Sequence, residues 1–149
     1  KAAALVSTLG ASVVGDEPDA GLNPALRHGA TYAAARHPGH GIGALSADLP
    51  ALRAGELERA LIRANTYGLA VVPDAEGSGT TAYFVTAENE FAPSFGRDSF
   101  RSHVAAGAVA LAGADLRSLR RDVDTQDDLA VAVALGVGPH TARVLENGL

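Results

Sequence analysis

The chain has 149 residues, 47% of them hydrophobic, and a formal net charge of −5. That is enough apolar material for one domain with a real core, which excludes a disordered chain, and the acidic balance implies no basic surface for nucleic acid. The lack of cysteine removes disulfides, zinc–thiolate sites and thiol nucleophiles together. No apolar run approaches the ~20 residues of a membrane span, and with no signal peptide in view a cytoplasmic enzyme is the default expectation.

Lys1 to Leu9 reads as the end of a helix, with Gly10 as its stop. There is no initiator Met, so a preceding N-terminal segment is expected. Ala11 to Val14 reads as a short strand. After a loop rich in Gly, Asp and Pro, Asn23 is placed to cap a helix whose first position is Pro24, running to about Arg36. His37-Pro38-Gly39-His40-Gly41 breaks it. Ile42 to Ala47 is a short apolar run of the kind found in buried parallel strands. An amphipathic helix follows over Glu56 to Ala64, with Leu57, Leu61 and Ile62 expected on its inner side. Gly68 to Val72 reads as a second buried strand and Thr81 to Thr86 as a third. The connection between them holds no helix, so the third strand is expected to run antiparallel. Ser99 is placed to cap a short helix to about Ala106, and Ala108 to Ala112 is a short strand or turn. A helix to Leu135 and a last one from about His140 to Glu146 complete the chain. Alternating strands and helices predict an α/β fold: a Rossmann-like, mostly parallel but mixed sheet with helices on both faces.

The stretch with most chemistry in it is Arg120-Arg121-Asp122-Val123-Asp124-Thr125. In an extended backbone, Asp122 and Asp124 share one face. Thr125 with Asp128 reads as a capping box, which places the two carboxylates at the end of a strand, where α/β proteins bind ligands. Oxygen donors there suit Mg²⁺, although Asp-x-Asp alone is more often a solvated turn. Asp48 is a third acid at a strand end, held open by Pro50. The small-residue loop Glu76-Gly77-Ser78-Gly79-Thr80-Thr81 offers backbone N–H groups and hydroxyls to an anion, or is an ordinary hairpin loop. Phe95-Gly96-Arg97-Asp98-Ser99 opens a helix, whose N-terminus attracts carboxylate or phosphate. His103 lies on that helix, where it could line the pocket, although exposure is the expectation. The histidines do not form a metal site by spacing.

Ala47-Asp48-Leu49-Pro50, Val72-Pro73-Asp74, Gly77-Ser78-Gly79-Thr80-Thr81, Phe95-Gly96 with Ser99, and Leu119 to Thr125 occur in an order that resembles the CofC/FbiD guanylyltransferases. The ending Leu135-Gly136-Val137-Gly138-Pro139-His140-Thr141 is similar to theirs as well. The resemblance implies a nucleotidyltransferase fold like that of the molybdenum-cofactor (MobA-like) enzymes, as one domain over residues 1–149 that is N-terminally incomplete. It implies transfer of GMP from GTP to phosphoenolpyruvate, or to 2-phospho-L-lactate, with release of pyrophosphate, in biosynthesis of the deazaflavin coenzyme F(420). It also implies hand-off of the product to a downstream transferase. Asp48, Asp122 and Asp124 match the catalytic, Mg²⁺-binding acids of the family. Thr80, Gly96 and Ser99 match the positions that hold the phospho-acid, and Asn23 matches a residue of the nucleotide side. The Arg- and Ala-rich composition leans toward an actinobacterial source, and so toward phosphoenolpyruvate. Two features depart from the pattern: Ala47 stands where the family has Gly, and Lys1 does not match the basic segment that binds the triphosphate. The rival readings are a related Mg²⁺-dependent nucleotidyltransferase or glycosyltransferase acting on a sugar or cofactor phosphate, and a non-catalytic nucleotide-binding module.

Overall fold

The computed structural model describes residues 2–148. The elements in order are α1 (Ala2–Thr8), α2 (Leu22–Arg36), β1 (Ile42–Leu45), α3 (Ala54–Tyr67), β2 (Leu69–Pro73), β3 (Thr80–Val85), α4 (Ser99–Ala105), β4 (Val109–Ala110), a 3-10 turn (Ala114–Leu116), α5 (Gln126–Leu135) and α6 (Pro139–Glu146). No helix among the described residues is long and apolar enough to cross a membrane.

The sheet order is β1-β3-β2-β4. β3 pairs antiparallel with both β1 and β2, and β2 pairs parallel with β4. Three strands therefore run one way and β3 runs the other, as expected where two strands are joined by a loop with no helix in it. Side chains alternate between the two faces along each central strand. Ala70, Val72, Ala82 and Phe84 point toward α3, where Ala60, Ala64, Leu116 and Leu119 close the larger core. Val71, Tyr83 and Val85 point the other way, against Ala108, Phe91, Phe95 and Phe100. Helices thus cover both faces.

Several boundaries and faces differ from expectation. The inner side of α3 is Leu57-Ala60-Ala64, whereas Leu61 and Ile62 are 47% and 63% exposed. Small alanines let the helix sit close to the sheet, so the larger residues beside them turn outward. Residues 11–14 form no strand, because no neighbouring strand hydrogen-bonds to them among the described residues. The N-cap of α2 is Gly21 rather than Asn23, and that of α4 is Asp98, in a left-handed conformation, rather than Ser99. Asn23 and Ser99 instead lie in the first turns of their helices, which frees both side chains for contacts elsewhere.

Candidate active site

Three loops meet beyond the β1 and β2 ends, and side-chain bonds to backbone hold them together. The Ser118 Oγ accepts the N–H of Arg53 at 3.0 Å, and Glu56 accepts the N–H of Ser118 at 2.7 Å. These bonds dock the segment after Asp48 against the segment before Asp122. The Arg120 guanidinium donates to the carbonyls of Pro73 (3.2 Å), Ala112 (3.3 Å) and Asp74 (2.8 Å). It fastens the end of β2 to the same place. Asp122 and Asp124 were expected at the end of a strand. They follow an irregular turn instead, because these side-chain bonds replace a ladder partner. The capping box behind them is present: the Thr125 Oγ1 accepts the N–H of Asp128 at 3.2 Å, and Asp128 accepts the N–H of Thr125 at 3.0 Å. Arg121 bridges Asp128 (3.0 Å) and Glu76 (3.1 Å), tying α5 to the loop after β2.

The electrostatics identify the centre of this cluster. Partial burial pushes the Asp122 carboxyl up to about 6, and the carboxylates of Asp74, Asp48 and Asp124 add to the rise. Like charges disfavour the ionised form, so four acids share one field. Asp48 and Asp124 are exposed at its rim and Asp74 is buried. Among the described residues no three His, Cys, Asp or Glu side chains are gathered closely enough to enclose an ion. Mg²⁺ takes only one or two carboxylates directly and completes its octahedron with water and phosphate oxygens. The donor set therefore fits Mg²⁺ in kind: hard, anionic oxygens whose mutual repulsion a cation would relieve.

Asp74 carries a role that the spacing of acids did not reveal. Its carboxylate accepts the N–H groups of Ser78 (2.9 Å) and Gly79 (2.6 Å). Two N–H groups expected to face an anion are therefore satisfied within the chain. A side chain at Gly79 would run into the Asp74 carboxylate, which accounts for that glycine. The N–H groups it accepts lie four and five residues on, beyond the two-residue reach of an Asx turn, so no local signature marks the contact.

On the opposite side of the loop lies a hydroxyl pair. Thr80 opens β3 and Ser99 opens α4; the Ser99 Oγ donates to the Thr80 Oγ1 at 3.1 Å. The Phe100 N–H donates to the Ser78 carbonyl at 3.2 Å and holds α4 to the loop. His103 was expected to be exposed. It is 1% exposed, stacked on Tyr83, with its Nδ1 3.1 Å from the Thr80 Oγ1. With seven residues, α4 is under two turns long, so anion binding here falls to individual donors rather than to a macrodipole.

Gly96 has φ +133°, with open space where a side chain would sit, so the glycine serves the backbone turn. Asn23 binds the residue before it: the Asn23 Nδ2 donates to the Phe95 carbonyl at 2.9 Å, and the Phe95 N–H donates to the Asn23 Oδ1 at 2.8 Å. One amide hydrogen and one lone pair of Asn23 remain for other partners. Between α2, β1 and Phe95 lies a mainly apolar cleft of about 450 Å³, lined by Leu22, Leu26, Ala44, Leu45 and Asp48 among others.

Relatives of this chain are numerous. A protein of Thermomonospora curvata is 57% identical over 143 residues, covering 96% of this chain and 63% of its own length. One of Streptomyces coelicolor is 52% identical, covering 93% of this chain and 66% of its own. One of Streptomyces scabiei is 45% identical, covering 95% and 67%. Each is named phosphoenolpyruvate guanylyltransferase. The chain belongs to the phosphoenolpyruvate guanylyltransferase family. It spans 63% to 66% of the length of the first two relatives. No family model matches it. Within the family frame, the acid cluster and the hydroxyl pair sit on two sides of the Asp74–Gly79 loop.

Proposed function

We propose that this protein transfers GMP from GTP to phosphoenolpyruvate and releases pyrophosphate, in biosynthesis of the coenzyme F(420). The observation that carries the reading is the group of acids around Asp122, where Asp74, Asp48 and Asp124 raise its carboxyl pKa by their charge. Acids alone would repel a triphosphate. Acids able to hold a divalent cation fit one, and neutral donors suit the second, anionic substrate.

One or two of Asp48, Asp122 and Asp124 would hold Mg²⁺ directly, with water and phosphate oxygens completing its shell, and the remaining acids, Asp74 among them, would add negative charge around it. The bound ion would supply neutralisation of the phosphate charges. Thr80, Gly96 and Ser99 would hold the phospho-acid, and Asn23 together with the cleft beside Asp48 would serve the nucleotide. A phosphate oxygen of the acid attacks the α-phosphorus of GTP; the new P–O bond forms as the bond to the β-phosphate oxygen breaks, and pyrophosphate leaves. No protein base is needed, because a phosphate monoester is largely ionised near pH 7. The protein contributes positioning and charge stabilisation.

The test offers the full-length protein GTP and Mg²⁺ with phosphoenolpyruvate, 2-phospho-L-lactate or sugar phosphates in parallel, and follows pyrophosphate. Release with phosphoenolpyruvate is the expected result. Release with phospholactate alone would change the acid and keep the reaction class. Release with a sugar phosphate alone would replace the reading.

A further inference from the structure

His103 is a buried side chain that the proposed chemistry does not use. Its Nε2 accepts the backbone N–H of Ser94 at 2.9 Å. A backbone N–H can only donate, so Nε2 carries a lone pair and the neutral ring has its proton on Nδ1. Nδ1 faces the Thr80 Oγ1 at 3.1 Å, and the Ser99 Oγ lies 3.1 Å from that same oxygen. Tyr83 stacks on the ring at 4.5 Å and Phe95 meets it edge-on at 5.3 Å, so the imidazole cannot turn over without repacking both. Burial pushes the ring below the ordinary histidine range, against a hydrogen bond to the Ser99 backbone that raises it.

The protons in this group can be counted. His103 Nδ1–H, Thr80 O–H and Ser99 O–H are three protons, and the two internal contacts consume two. His103 cannot accept from either hydroxyl, because its accepting nitrogen is already bound to Ser94. With Ser99 donating to Thr80, the proton left over is that of the Thr80 hydroxyl, which has no acceptor among the described residues. Ser99 is 2% exposed and Thr80 8%, so Thr80 is the member of the pair placed to donate to a further partner.

We propose that His103 is a positioning residue that fixes the Thr80–Ser99 hydroxyls as a one-way donor toward the carboxylate or phosphate of the phospho-acid substrate. The inference rests on the reading that Thr80 and Ser99 contact that substrate. It deepens that reading by naming the residue behind them.

The test uses the full-length protein and three variants. His103→Asn places an amide N–H near the Nδ1 position and so keeps the bond to Thr80. His103→Gln reaches the Nε2 position and keeps the acceptor for Ser94, but loses the Thr80 bond. His103→Leu loses both. The expected result is a KM for phosphoenolpyruvate raised about tenfold in the Gln and Leu variants, as for loss of one orienting hydrogen bond. The Asn variant should stay within about threefold of wild type on the same scale, and the KM for GTP should be unchanged in all three. A merely structural role predicts the reverse order, with Gln closest to wild type, or equal losses for both substrates; either overturns the inference. Nitrogen-15 NMR of the wild-type imidazole gives a readout independent of turnover. A neutral Nδ1–H tautomer is expected, and an Nε2–H tautomer or an imidazolium near pH 7 overturns the proposal. Wild-type protein that turns over phosphoenolpyruvate while the variants match it removes the role of His103 alone. Wild-type protein that neither binds nor turns over phosphoenolpyruvate removes the functional reading with it.

Discussion

Replacing Asp122 with Asn should make the metal-free protein more stable while abolishing turnover. Folding moves the Asp122 carboxyl from about 3.8 to about 6 through burial and the neighbouring acids. The folded state thus holds a proton that the unfolded chain has already lost, and ionising Asp122 in the folded state costs free energy. At about 1.36 kcal/mol per pKa unit, the full shift corresponds to about 3 kcal/mol, and solvent screening of a partly exposed side chain reduces it to about 1–3 kcal/mol. The sign follows from proton binding: the cost is nearly absent below pH 4, about half developed at pH 5 and complete above pH 7. Asn has the same shape and still accepts the backbone N–H that Asp122 accepts, so its gain should follow that curve. In a chain of this size the gain at pH 8 corresponds to a Tm rise of about 3–8 °C. Thermal melts of both proteins in EDTA at pH 8 and pH 5 measure it. Adding Mg²⁺ should then raise the Tm of wild type and not of the variant, since only binding to the folded state stabilises. A variant that melts at or below wild type at pH 8, or that gains equally at both pH values, would refute the acid-cluster reasoning.

Three further outcomes are expected. Ser99→Ala should raise the KM for the phospho-acid by about tenfold, as for loss of the neutral hydrogen bond that orients Thr80, and leave the KM for GTP unchanged; a change in the GTP constant alone would move Ser99 to the nucleotide side. Asp74→Ala should destabilise by about 2–4 kcal/mol in urea melts, because two backbone N–H groups lose a charged acceptor, and should speed hydrogen exchange at Ser78 and Gly79; unchanged exchange would contradict those bonds. Thr125→Ala should cost about 1 kcal/mol through the lost cap of α5, with chemical denaturation as the check.

Much of this architecture was legible in the chain. The β2 and β3 strands follow from apolar runs over Leu69–Pro73 and Thr80–Val85, and the antiparallel turn of β3 from a connection with no helix in it. The capping box at Thr125 and Asp128 was visible because it is local. What was missed depends on contacts far apart in sequence. Asn23 and Ser99 have the composition of caps, yet their side chains serve Phe95, 72 residues away, and Thr80, 19 residues away. His103 looked solvent-facing because a helix of seven residues gives little periodicity, and Tyr83 and Phe95 bury it from other elements. The buried face of α3 was misread because alanines at 60 and 64 carry less hydrophobic signal than the exposed Leu61 and Ile62. Asp74 was seen only as part of a resemblance, since nothing in its spacing marks a charge beside Asp122.

The central claim is that the carboxylates around Asp122 and the hydroxyls around Thr80 serve one transfer between two anionic substrates. The most direct measurement is mass spectrometry of the products formed by the full-length protein from GTP, phosphoenolpyruvate and Mg²⁺, with pyrophosphate counted in the same reaction. The account predicts one adduct carrying both GMP and phosphoenolpyruvate for each pyrophosphate released, and neither product from the Asp122→Asn variant. Pyrophosphate without the adduct, or an adduct formed equally by the variant, would contradict it.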